Sequence, residues 1–176
     1  MLRPALFALP CVLALWAAPA AAQRSAVDLL VGKDVTADYV QQVAMHDMFR
    51  VETGKVALRR GRAPEIRLLA QQVLDDHGWL GAQLAQSIEE VAPKPELPAR
   101  LDRPHKALLA GLNGAPAADF DRMFVRLQVR ATEDLLAQHT RYAVTGPVDG
   151  LRLLAETAKP VVQGHLKALR ALPPIR

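Results

Sequence analysis

Cysteine is almost absent: Cys11 is the only one in 176 residues, and it lies inside an apolar N-terminal run. The residues before it, Ala8-Leu9-Pro10, do not resemble a lipoprotein processing site. Beyond that run no disulfide, thiolate ligand or cysteine nucleophile is available, and stability has to come from burying apolar area. Beyond residue 22 no stretch of ~20 residues is free of charge, so no membrane-spanning helix is expected. The chain also has no glycine-rich phosphate loop, no dinucleotide fingerprint and no nucleophile-base set. No catalytic residue is assigned, and an enzyme is not the favoured reading. With no charge block and no low-complexity tract, one domain is expected.

The first 22 residues, MLRPALFALPCVLALWAAPAAA, have the layout of a secretory signal. Arg3 provides the positive start, Ala5 to Trp16 the apolar run, and Ala20-Ala21-Ala22 a small-residue cleavage site. The expected product begins near Gln23 in the periplasm. The 22 basic side chains less Arg3, against 18 acidic, leave +3, a mild excess that allows weak contact with an anionic envelope surface. Nucleic acid is not an expected partner of an exported chain. The densest basic stretch, ALRRGRAPEIR with Arg59, Arg60, Arg62 and Arg67, reads first as a solvated helix end, where cations offset the dipole. A membrane-surface contact through the same arginines is the other reading, and a homo-oligomer stays open.

Apolar residues recur at helical spacing through most of the chain. A linker over 23–35 precedes a first helix from Asp34 or Thr36 to about Arg60, with Val40, Val43, Asp47, Arg50 or Val51, Gly54 and Ala57 on one stripe. Gly61 ends it, and Pro64 with Glu65 starts a second helix running to about Val91. Its seam carries Ile66, Leu69, Val73, His77, Leu80, Leu84, Ile88 and Val91. Pro93, Pro95 and Pro98 impose an extended connection over 92–103, followed by a short helix from His105 to Leu112. A third long helix is expected over Ala117–Thr145, with Phe120, Phe124, Leu127, Ala131 and Leu135 inward. After Gly146-Pro147 a last helix runs from about Val148 to Arg170, carrying Leu151, Leu154, Ala158, Val161, His165, Leu169 and Leu172. The expected fold is an all-α, up-down four-helix bundle over 36–172 with a long second connection, and a tail over 173–176.

His77 and His165 take seam positions where Leu or Val would be ordinary. At 1.5 Å per residue from the joining turns, Arg50 lies ~15 Å along its helix, His77 and Thr132 ~20 Å, and His165 ~26 Å. The four therefore fall in adjoining layers. Two chemistries suit them. Imidazoles from facing helices with Asp47 and Asp76 (or Glu52) would make a transition-metal site for copper, iron or zinc, as bundles of the ferritin type do. Alternatively the histidines are neutral core residues hydrogen-bonded to carboxylates or carbonyls. Arg50, in the same layer, would repel a cation. No cofactor is assured by the sequence.

Met45, His46 and Met48 in AMHDMF combine soft and imidazole donors, although methionines three apart on one helix face also fill core gaps. His139 and Tyr142 lie three apart near the end of the third long helix, where a cationic histidine suits the dipole. His105, in the connection, is expected to be exposed.

DMFRVETGKVAL, LLAQQVLDDH, FDRMFVRLQ, QHTRYAVTG and KPVVQGHLKAL occur in order. Together they resemble the exported bacterial family called domain of unknown function 4142, whose members are often labelled outer membrane proteins. The resemblance spans about Tyr39 to Leu172 and implies a ferritin-like four-helix bundle of unsettled activity. It implies glutamate where this chain has Arg50 and histidine where it has Thr132, while Gln128, His77 and His165 match. Arg50 then needs a carboxylate partner, for which Asp47, Asp76 and Glu133 are available. The expected protein is a periplasmic bundle with a structural, stress-related or interaction role and a polar centre of Arg50, Gln128 and Thr132. The alternative is a metal-binding protein using His77 and His165.

Overall fold

A computed structural model describes the backbone of residues 20–173 and the side chains of residues 35–173. The expected signal segment lies outside the described residues apart from its last three. Every regular element among the described residues is an α-helix: α1 (Ala20–Arg60), α2 (Pro64–Ser87), α3 (Arg103–Gly114), α4 (Ala117–Thr145) and α5 (Asp149–Ala171). None of them is long and apolar enough to cross a membrane.

Proline and glycine set most of the boundaries. Pro64 occupies the first turn of α2, and Pro104 that of α3, where the side chain of Asp102 caps by accepting from the His105 N–H at 2.9 Å. Such positions cost no intrahelical hydrogen bond. Gly61 opens the tight α1–α2 turn, and a Cβ there would lie 2.6 Å from the Ala57 carbonyl oxygen and 2.9 Å from Ile66. That turn is also held from outside, because Asp121 on α4 accepts from the Arg62 and Ala63 N–H groups at 3.0 and 2.9 Å.

Several boundaries differ from those read in the sequence; α3 spans Arg103–Gly114, wider at both ends than the expected His105 to Leu112. α1 is already helical at Ala20, through the stretch 23–35 taken as a linker; no proline interrupts residues 20–63, so nothing there forces an end. α2 stops at Ser87 and closes with a last turn in which the Ile88 N–H reaches the Leu84 carbonyl. On α5 the buried valine is Val162, one position beyond the one expected.

α1 packs on α2 and α4, and α5 packs on α4 and α2, while α3 lies across α1 and α4. Polar pairs show the direction. Along α1, Thr36, Tyr39, Arg50 and Thr53 meet Tyr142, His139, Thr132 and Gln128 in that order. Numbers rise on α1 as they fall on α4, so these two helices are antiparallel.

The core divides into layers. One end is closed by Tyr39, Val40, Val43, Leu84, Ile88, Leu135, Leu151 and Val162, the other by Val56, Ala57, Ile66, Leu112, Phe120 and Phe124. Between them lies a layer of buried polar side chains from four helices: Asp47, Arg50, Thr53, His77, Gln128, Thr132 and His165.

Candidate polar centre

Arg50 is fully buried, ten residues before the end of α1. One guanidinium nitrogen donates to the Thr132 hydroxyl on α4 and another reaches Nδ1 of His165 on α5 at 3.3 Å. Thr132 passes its own proton to the Gln128 carbonyl at 2.5 Å, one turn earlier on α4. Gln128 in turn donates to Thr53 at 2.7 Å, and Thr53 donates back to the Phe49 carbonyl at 2.8 Å. The guanidinium thus joins α1, α4 and α5. Burial lowers the Arg50 pKa to about 10, with Asp47 opposing, which leaves the cation charged at neutral pH.

His165 uses both ring nitrogens. Its Nε2 lies 2.7 Å from Asp76 Oδ2 on α2. A guanidinium N–H can only donate, so Nδ1 must be the acceptor and Nε2–H the donor to Asp76. Burial, and then Arg50, hold the His165 pKa below its ordinary value, while Asp76 pulls the other way. Neutral Nε2–H imidazole is therefore the form that fits both contacts.

His77 is tied to the opposite side of the layer, with Nδ1 2.7 Å from Asp47 Oδ1. Burial pushes the Asp47 carboxyl up to about 7, with His139, Arg50 and His46 opposing. The same burial, reinforced by Arg50 and His165, pushes His77 well below the usual imidazole range. The His77 and His165 rings lie 5.3 Å apart between centroids. Asp47 Oδ2, His77 Nε2, Arg50 Nε and Gln128 Oε1 are buried without a protein partner.

The structure therefore brings together Arg50, Thr132, Gln128, His77, His165, Asp47 and Asp76, all named from the sequence. It does not give Arg50 the directly bonded carboxylate expected for it. Asp76 reaches it only through His165, Asp47 bonds His77, and Glu133 faces outward to Arg170 at 2.7 Å. Glu133 follows Thr132 by one residue, about 100° around the helix, so both cannot face the core. Glu52 is likewise on the surface, paired with Lys55 at 2.7 Å.

Among the described residues no three His, Cys, Asp or Glu side chains gather closely enough to hold a metal ion. The interior also fits a cation poorly. Both nitrogens of His165 are engaged, and the guanidinium contacts the same ring.

Sequence reasoning missed the next polar layer. His139 is buried and its Nδ1 pairs with the Tyr39 hydroxyl at 3.0 Å, while Tyr39 stacks on Tyr142 at 3.8 Å. Burial lowers His139 to about 4, so this is not the cationic helix-end histidine its position suggested. Pairing positions on antiparallel helices from Arg50 and Thr132 outward would have found it. His105 is also not fully exposed: it stands against Phe49 and His46, with ring centroids 5.0 and 5.7 Å away.

The basic stretch is partly consumed by backbone. Arg60 donates to the carbonyls of Leu112, Asn113 and Ala115 at the end of α3 and covers the Phe120 ring at 4.9 Å. Arg67 donates to the Gly61 and Arg62 carbonyls at 2.7 and 3.0 Å. Two of the four arginines thus act as helix-end ties, which weakens the case for a cationic docking patch.

No curated protein and no solved structure matches the chain. The model of the family described as Domain of unknown function (DUF4142) matches residues 18–172, nearly the whole sequence. The chain belongs to that family.

Proposed function

We propose that this chain is an exported, periplasmic helical bundle of ferritin-like topology, with a structural or interaction role rather than an enzymatic one. Its buried polar centre fixes the register of the helices. The observation that carries this reading is Arg50, fully buried and bonded to Thr132 and His165. A buried cation is costly to strand, so any slip of α1 against α4 or α5 would be strongly penalised. The apolar leader supports export, and the absence of a nucleophile-base set in the sequence supports a non-enzymatic role.

A second reading is favoured by His77 Nε2, which is buried, unpartnered and close to the His165 ring. In it a transition metal sits between these imidazoles with Asp47 or Asp76 as the acidic neighbour. Calorimetric titration with zinc(II), iron(II) and copper(II) separates the two. The register reading expects no binding that depends on His77; stoichiometric binding abolished by His77→Ala overturns it.

A further inference from the structure

Outside the polar centre, a second imidazole pair lies where α1 meets the start of α3. The His46 and His105 rings are 5.7 Å apart between centroids and nearly perpendicular. His46 Nδ1 is buried with no hydrogen-bond partner. His105 has its Nδ1 committed to Asp102 Oδ1 at 2.7 Å, and its own N–H donates to the same oxygen. Met45 joins the group because its sulfur accepts from the Asp102 N–H at 3.4 Å. Asp102 therefore holds the thioether on one side and the imidazole on the other.

We propose that His46, His105 and Met45 form a site for a soft monovalent metal ion of the copper(I) and silver(I) class. An ion about 2.0 Å from each of two imidazole nitrogens puts the ring centroids about 5 to 6 Å apart, depending on the ligand angle. The observed separation falls in that range, so both rings can share one ion without moving far. The third donor is a thioether, which favours a soft ion over zinc(II) or iron(II). Two or three donors suffice for such an ion.

Asp102 supplies the outer contact that metal-bound imidazoles usually have: it accepts from Nδ1, fixes the tautomer, and leaves Nε2 as the donor. Its charge also offsets that of the ion. The interior pair also has carboxylates behind its rings, Asp47 on His77 and Asp76 on His165, but there a guanidinium occupies the second nitrogen of His165. The site is independent of the register reading, because it uses none of the residues of the polar centre.

The experiment uses the full chain with Cys11→Ser, which removes the only thiol, and silver(I) as a probe that does not change oxidation state. Competition against a chromophoric chelator is expected to give one equivalent bound. His105→Ala and His46→Ala should each weaken binding by at least about tenfold, and Asp102→Asn by about tenfold. Met45→Leu should weaken it and His77→Ala should not. His105 is on a short surface helix, so its variant should keep the far-ultraviolet circular dichroism of the parent and report on binding alone. Absence of stoichiometric binding overturns the proposal, as does binding that survives His46→Ala/His105→Ala. Loss of binding in His77→Ala also overturns it, by moving the ion to the interior.

Discussion

Two imidazole pairs, one joining α2 to α5 and the other α1 to α3, lie in opposite surroundings. His77 and His165 stand in the closed middle of the molecule, 5.3 Å apart, with a buried guanidinium on one ring and a carboxylate on each. His46 and His105 stand at the flank, 5.7 Å apart, with a thioether and the Asp102 carboxylate nearby and the Arg50 charge farther off. Ring separation alone would rate them alike. What differs is whether the nitrogens are already spent, and on what. Three of the four interior ring nitrogens are engaged, one of them by a guanidinium, and His77 Nε2 is left buried without a partner. At the flank His105 Nδ1 is bonded to Asp102 and His46 Nδ1 is buried with nothing to bond.

The largest expected effect comes from the interior. Arg50→Ala removes a donor to two helices and leaves a cavity, and should cost about 3 to 5 kcal/mol in denaturant unfolding. Arg50→Met keeps the volume and removes the buried charge, so it should cost much less. A loss under about 1 kcal/mol for Arg50→Ala would mean that the guanidinium holds nothing in place.

The histidines should then separate the two regions. His165→Ala strands Arg50 and Asp76 and should cost about 2 to 4 kcal/mol, whereas His105→Ala, on a part-exposed ring, should cost about 1 kcal/mol. Equal costs would erase the contrast.

The response to acid is a third test. His77, His46, His165 and His139 have lowered pKa values, His139 to about 4. The unfolded chain binds their protons first, so their contribution is full above about 6.5 and is lost as pH falls. Asp47 acts in the opposite sense. Raised from 3.8 to about 7, it holds a proton that the unfolded chain has released, so its contribution is lost as pH rises through about 7. The histidines outnumber it, and stability should decline below about pH 6.5. Asp47→Asn removes the opposing contribution and should steepen that decline, measured as urea midpoints at pH 5, 6 and 7. An unchanged slope would contradict the assignment of Asp47.

Smallest is the surface pair. Glu133→Ala breaks the exposed contact with Arg170 and should change stability by less than about 1 kcal/mol. A larger loss would return Glu133 to the role of counter-ion for Arg50.

Much of the helix pattern was legible because breakers mark its edges. α4 runs over Ala117–Thr145 as read from Pro116 and Gly146, and His77, His165, Arg50 and Thr132 share a layer as helix rise indicates. The start of α1 was not legible, since no breaker separates the linker-like segment from the helix. The partner of Arg50 was missed because charge was matched before direction. Asp47 lies three residues away on the same helix and is drawn across to His77, Glu133 points outward, and Asp76 arrives through an imidazole. Neutral Thr132 and His165, which replaced the expected carboxylate, could be placed near Arg50 from sequence but not identified as its acceptors. The flank cluster was half legible: AMHDMF named two of its donors, but the approach of His105 depends on how α3 folds back onto α1.

The central claim is that Arg50 donates to His165, whose other nitrogen donates to Asp76. Nitrogen-15 chemical shifts of the His165 ring, followed from pH 5 to 8, test it most directly. The expected result is a neutral Nε2–H tautomer with an accepting Nδ1 at neutral pH, protonation only below the ordinary imidazole range, and an Nδ1 shift that changes in Arg50→Met. A protonated imidazolium or an Nδ1–H tautomer at neutral pH would contradict it.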